Sequence, residues 1–282
     1  MAKFVICIWP SQSASSFELA TLSREPHAHS AALWRGAVAG ALNSIAGGGS
    51  FLSFPLLLFL GVPSVHANAT NTVALWPGTL ASTGAYRKSL SRELLQRILP
   101  LALSTLLGSF IGAWLLLHTR QRTFDRLVPW LLLAGTLLFS ARGLVARWAG
   151  RSHGESNPSV ATVTWITLAQ GVLGIYIGYF GAGVGIVMLP LLVLMGIENI
   201  HSMSGIRTLV VTCGNAVAIT LFIVAHAVLW PIVLVMTMGA ITGGYAGAYL
   251  AQKLQPKTVG YMVIAIGFFM SGYFFWRMYF RG

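Results

Sequence analysis

Apolar residues in this chain run on for far longer than a soluble core helix requires. Leu94–Leu117 contains one charge, Arg97, near its start, and Leu127–Ala141, Val160–Ile197 and Thr208–Gln252 contain none. A hydrocarbon layer about 30 Å thick takes roughly 20 such residues per helix. Cut at its Gly, Pro and charged positions, the pattern predicts five segments in each half of the chain. The first half gives Ala31–Gly47, Ser50–Gly61, His66–Tyr86, Leu94–Leu117 and Arg126–Val145. The second gives Thr162–Gly181, Val184–Gly196, Met203–Ala225, Val228–Ala251 and Lys257–Trp276.

The halves share their punctuation. Shifted by 135 positions, Gly36, Gly48, Pro55, Gly61 and His66 fall on Gly171, Gly183, Pro190, Gly196 and His201, and Gly108 and Gly112 fall on Gly243 and Gly247. Internal repeats of this kind are a common way to build a transporter. The predicted fold is an all-α polytopic membrane protein of two homologous repeats. A polar extension covers 1–29, repeat one 30–146, a Gly/Ser/Asn/Pro linker 147–160 and repeat two 161–282.

The second segment of each half is too short to span: twelve or thirteen residues rise only about 18–20 Å. Each follows a glycine cluster, Gly47-Gly48-Gly49 or Gly181-Ala182-Gly183-Val184-Gly185. Glycine lets a chain leave and re-enter helical geometry, and broken backbone at membrane depth persists where protein or a wet cavity satisfies it. The first two segments of each repeat are therefore expected to be broken or re-entrant. If they form hairpins the repeats are inverted, and if they form kinked spans the repeats are parallel. Counting Lys and Arg does not separate the two cases. The basic loop after His66–Tyr86, set against the uncharged His226–Trp230 in the other half, favours inversion.

Composition agrees with a bilayer setting: 56% of residues are hydrophobic and 9% charged, against roughly 25% charged in a soluble chain. The net charge of +12 does not indicate nucleic acid, because the cations cluster in short links between apolar segments, as loops beside membrane spans do. Cys7 and Cys213 are too far apart in chain and setting to suggest a disulfide framework. No metal-ligand spacing, nucleotide loop or nucleophile–base pair occurs, so no metal, cofactor or enzymatic chemistry is expected.

What remains is uncharged donors, glycine breaks and one deep cation. Bare N–H groups at a helix start attract anions, which makes Gly47, Gly48, Gly49, Gly181 and Gly183 candidate binding positions. Asn43, Ser44, Ser50, Asn71 and Thr72 add amide and hydroxyl donors beside the first break. Arg207 precedes a long uncharged run; a guanidinium at membrane depth costs about 2.5–3.5 kcal/mol on insertion scales and suits bidentate recognition of an oxyanion. Its structural alternative is snorkelling to headgroups. His66 and His201, at equivalent positions, titrate near neutrality and are candidates for proton coupling, or simply for helix starts at the interface.

The run Gly40-Ala41-Leu42-Asn43-Ser44-Ile45-Ala46-Gly47-Gly48-Gly49-Ser50, continued by Phe54-Pro55-Leu56, Leu60-Gly61-Val62-Pro63 and Ala67-Asn68-Ala69-Thr70-Asn71-Thr72, resembles the opening of the sulfite exporter TauE/SafE family. Gly178-Tyr179-Phe180-Gly181-Ala182-Gly183 and Pro190 resemble its degenerate second repeat. The likeness covers about residues 33–275. It departs at 204–208, Ser-Gly-Ile-Arg-Thr, where an uncharged string is commoner.

The resemblance implies a multi-pass permease of a plasma membrane, such as a bacterial inner membrane, carrying sulfite, a sulfonate or a related organosulfur anion. The expected partners are that small anion, the lipid bilayer and a coupling ion, H+ or Na+, with a homo-oligomer compatible. The alternatives are a non-transporting accessory protein, an intramembrane enzyme, or a channel or cation-coupled porter.

Overall fold

The computed structural model describes residues 50–87, 90–141, 159–182, 184–197, 199–238 and 256–280. All regular structure among these residues is helical. In chain order the helices are α1 (Ser50–Phe59), α2 (Ser64–Ala85), α3 (Arg92–His118), α4 (Gln121–Ser140), α5 (Val160–Tyr179), α6 (Val184–Leu194), α7 (Ile200–Val224), α8 (230–238) and α9 (Pro256–Tyr279). The predicted segment Ala31–Gly47 lies outside the described residues, as does the rest of Val228–Ala251.

The ends follow capping chemistry. Ser91 accepts from Leu94 N–H, Ser159 from Thr162 N–H, and Asn199 from the N–H groups of His201 and Ser202; such caps satisfy donors that the first turn leaves over. The short helices α1 and α6 are each followed by a left-handed glycine, Gly61 (φ +80°) and Gly196 (φ +75°). Helix α4 starts five residues before the expected Arg126. Arg120 is extended and its carbonyl accepts from Thr123 and Phe124, so the charged turn belongs to the helix.

Among the described residues three helices, Arg92–His118, Val160–Tyr179 and His201–Val224, are long and apolar enough to cross a membrane. Helix α2 has the length but buries Ser64, Asn68, Thr70 and Asn71. Polar groups at that depth must point into protein rather than lipid.

Paired side chains give the helix directions. Ser104 and Ser109 of α3 donate to the carbonyls of Thr167 (2.7 Å) and Gly174 (3.3 Å) on α5, and Thr119 meets the Tyr179 hydroxyl at 3.3 Å, so α3 and α5 run parallel. The seam between them is built on small residues: a Cβ on Gly112 would overlap the Ile175 carbonyl, and one on Gly178 the Ser109 carbonyl. Small residues let membrane helices approach to backbone contact.

The α2–α7 pair runs the other way. Trp76 and Thr83 of α2 both reach Thr212, while Tyr86, at the C-terminal end of α2, packs on Gly205, earlier in α7. Helices α4 and α9 are also antiparallel, with Trp130 against Tyr279 and Thr136 against Gly267.

These directions define two faces. Helices α2, α4 and α8 run from face B to face A, and α3, α5, α7 and α9 from A to B. The short helix α1 ends toward face B, where Phe59 stacks on Phe274 at 5.8 Å. Helix α6 ends toward face A, in a buried cluster of Met188, Leu192 and Met195 with Ile98, Leu101, Met203 and Ile206.

Candidate functional site

The chain turns at the end of α5 because Phe180 and Gly181 both donate backward to the Tyr176 carbonyl, at 2.9 and 2.8 Å. Gly181 takes φ +75°, the left-handed region that a side chain disfavours. Ala182 follows, and α6 departs in the opposite direction.

This turn meets the first turn of α1. Both abut Gly135, in the last third of α4. A Cβ there would lie 2.9 Å from the Ala182 carbonyl oxygen, 3.0 Å from the Phe51 ring and 3.0 Å from the Tyr176 hydroxyl. The Tyr176 hydroxyl is held by donating to the Leu131 carbonyl at 3.1 Å. Phe54 and Phe180 close the contact edge to face, with centroids 5.1 Å apart. One wall of the junction is thus aromatic.

The other wall is polar and belongs to α2. Asn68 donates its amide to the Tyr179 carbonyl at 3.0 Å, pinning α2 to the turn. The Ser53 hydroxyl donates to the Asn71 amide oxygen, and both residues are buried. That bond occupies the acceptor of Asn71 and leaves its NH2 as the group the amide can offer elsewhere. Thr72 donates its single hydroxyl proton to the Asn68 carbonyl at 2.8 Å, within its own helix. Ser50 begins α1 and is half-buried.

Asn43, Ser44, Gly47, Gly48, Gly49 and Gly183 lie outside the described residues. Of the remaining sequence candidates, the structure brings Ser50, Asn71, Thr72 and Gly181 to the region where α1, α2 and the end of α5 meet. It does not bring Arg207 there. Arg207 lies between Gly205 and Thr212 on α7, which pair with Tyr86, Thr83 and Trp76. Thr83 is twelve residues beyond Asn71, about 18 Å of helix rise. Arg207 is half-buried toward face A. Among the described residues no carboxylate pairs with it.

The histidines also separate. His66 lies in the first turn of α2 on face B, half-buried; His201 is exposed in the first turn of α7 on face A.

Two junction residues carry a sequence signal that periodicity alone passes over. Gly135 is the single glycine in the apolar run Leu131–Phe139, and Ser53 is an isolated hydroxyl within Phe51–Phe59. Each interrupts a mainly apolar string, which in a membrane helix marks a close approach or a polar partner.

Across residues 32–274 the chain matches the family model described as sulfite exporter TauE/SafE. It is 28% identical over 231 residues to a Sinorhizobium protein described as "Probable membrane transporter protein ORF9", covering 81% of this chain and 85% of that one. A Haemophilus influenzae protein described as "Probable membrane transporter protein" is 27% identical over 237 residues, 84% of this chain and 90% of the relative. A Xylella fastidiosa protein of the same description is 30% identical over 255 residues, 86% of this chain and 92% of the relative. No solved structure matches the chain. With the family model matched over residues 32–274, this helical chain belongs to the sulfite exporter TauE/SafE family: it is a membrane transporter, not an enzyme.

Proposed function

We propose that this transporter moves a small oxyanion, of the sulfite or organosulfonate class, and is built as two inverted repeats. The observation that carries the reading is the antiparallel α2–α7 pair. These helices are register equivalents, since Ser64–Ala85 shifted by 135 gives Asn199–Thr220. Equivalent helices that cross antiparallel are related by a two-fold axis in the membrane plane, the arrangement that supports alternating access. The other pairs fit the same axis. Helix α1 packs on α9 as α6 packs on α4, and α3 lies along α7 as α8 lies along α2.

The anion binds where α1, α2 and the turn at Gly181 meet. The Asn71 NH2 supplies a donor, the Gly181 N–H being held by the Tyr176 carbonyl, and the aromatic wall excludes water. Arg207, about 18 Å of helix away, is an outer position that attracts the anion toward this site from face A.

Face A is the cytoplasmic side. The α2–α3 link there carries Arg87, Lys88 and Arg92, and the sequence joining α4 to α5, two face A ends, carries Arg142, Arg147 and Arg151. Face B has Arg120, Arg122 and Arg126 beside Asp125, and Arg277. A cationic excess marks the cytoplasmic side. The membrane is the plasma membrane, and transport draws on an ion gradient.

Purified protein in liposomes should take up labelled sulfite or a small sulfonate above empty vesicles, with saturation and competition between them. If neither anion moves faster than into empty vesicles, under any imposed pH or Na+ gradient, the oxyanion assignment is lost.

A further inference from the structure

The two faces of the bundle are fastened by different chemistry. On face B the first turn of α2 is tied to the first turns of α4. The Ser64 hydroxyl donates to Asp125 Oδ1 at 2.5 Å, and Gln121 Nε2 donates to Ser64 Oγ at 2.8 Å and to the same Asp125 oxygen at 3.1 Å. Gln121 Oε1 accepts from Val65 N–H at 3.3 Å, which fixes which way its amide points. The register equivalents of Ser64, Gln121 and Asp125 are Asn199, Pro256 and Gly260, which cannot make this cluster. On face A the corresponding end of the bundle holds the apolar cluster of Met188, Leu192, Met195, Met203 and Ile206. This Ser64–Gln121–Asp125 fastening has no register counterpart in the second half of the chain.

Asp125 is the one group in this fastening whose charge can change. As a carboxylate it accepts two converging bonds on one oxygen, and bonds to an ionised acceptor are roughly twice as strong as neutral ones. A proton on Asp125 sits on Oδ2, removes the charge and leaves Oδ1 a neutral acceptor, so both bonds lose their charge assistance. Ser64 is the first residue of α2, the helix that carries Asn68 and Asn71 into the junction, so loosening this end frees the helix that lines the site.

We propose that Asp125, with Ser64 and Gln121, is the proton-binding latch of face B: ionised Asp125 holds α2 closed on α4, and protonation releases it. The inference rests on the transporter reading above for its purpose, but its test does not need transport. Among the described residues the other titratable or charged groups at this end are His66 on α2, His118 on α3, Arg120, Arg122 and Arg126 beside or on α4, Tyr179 on α5, His226 between α7 and α8, and Tyr273, Arg277 and Tyr279 on α9.

Val62, buried in the α1–α2 link two residues before Ser64, reports the latch. In full-length protein with Cys7 and Cys213 replaced by Ser, Val62→Cys is labelled with a hydrophilic maleimide in nanodiscs. Labelling is read at each of a series of pH values across the range in which aspartates titrate, and each rate is divided by that of an exposed reference cysteine, Gly84→Cys, at the same pH. The normalised labelling is expected to rise several-fold as the pH falls. With Asp125→Asn added it should be high and independent of pH, and Asp125→Glu should restore the response. An unchanged pH profile in Asp125→Asn would overturn the proposal, as would a response abolished by His66→Gln while Asp125→Asn leaves it intact. Loss of anion uptake with the labelling response intact would instead count against the oxyanion reading alone.

Discussion

Trp76 of α2 donates its indole N–H to the backbone carbonyl of Thr212 on α7, 3.0 Å away. Thr212 is the register equivalent of Pro77, the next residue after Trp76. On the inverted-repeat reading proposed above, an antiparallel pair that meets at its own equivalent positions crosses at the axis that would relate the two helices. The Thr83 hydroxyl reaches the Thr212 hydroxyl from the same side at 3.1 Å. This crossing is where motion of one half would be transmitted to the other.

Trp76→Phe keeps the ring and removes the bond. Interhelical hydrogen bonds in bilayers contribute under about 1 kcal/mol each, so thermal stability in detergent should fall slightly. Trp76→Ala loses the half-buried ring as well and should lower it several times further. Equal shifts for the two variants would mean that the indole N–H, not the ring, holds the crossing.

The α3–α5 seam should tolerate no side chain. Gly112→Ala and Gly178→Ala each drive a Cβ into backbone carbonyls that have no rotamer by which to yield, and folded protein recovered by size-exclusion chromatography should drop sharply. Gly84→Ala is the counterpart: nothing lies within 4 Å of its Cβ position, and replacing a helical glycine there should gain up to about 1 kcal/mol.

The apolar runs made the helices legible. A stretch such as Val160–Tyr179, without a charge, has few alternatives to a helix in lipid, and Gly61 and Gly196 announced the ends of the short segments through their shared register. Helix direction was not legible from loop charge, because face B also carries Arg120, Arg122 and Arg126. It became visible only when Trp76, Thr83 and Tyr86 could be matched to Thr212 and Gly205. The Ser64–Asp125 bond is not legible in the sequence, because the two residues lie 61 positions apart and no local period encodes it. Arg207 and Asn71 looked close enough to share a ligand because a sequence gives no depth.

That separation is measurable. Sites more than about 7–10 Å apart act additively within about 0.3–0.5 kcal/mol. Asn71→Ala and Arg207→Gln should therefore each raise KM for the transported anion, and the double variant should raise log KM by the sum of the two. A double variant no worse than the worse single one would place both groups on the same bound anion, against the distance along α2. Arg207→Lys should retain most of the attraction but not bidentate geometry, so partial rescue by Lys indicates a charge that gathers anions rather than a fork that grips one.

Gly135 gives the sharpest test of the junction, because its neighbours differ in their freedom to move. A Cβ at this position meets the Ala182 carbonyl at 2.9 Å and the Phe51 ring and Tyr176 hydroxyl at 3.0 Å each. Phe51 and Tyr176 can be trimmed, but the Ala182 carbonyl is backbone and is fixed by the turn at Gly181. Gly135→Ala should abolish uptake while the protein remains folded, and Tyr176→Phe or Phe51→Leu added to it should not restore transport. Gly267 on α9 is the matched control. A Cβ there would overlap the Thr136 hydroxyl, a side-chain atom, so the loss of stability in Gly267→Ala should be reversed by adding Thr136→Ala. If Gly135→Ala is rescued by side-chain trimming as readily as Gly267→Ala, then Ala182 is free to move and the turn at Gly181 is not the rigid wall of the site.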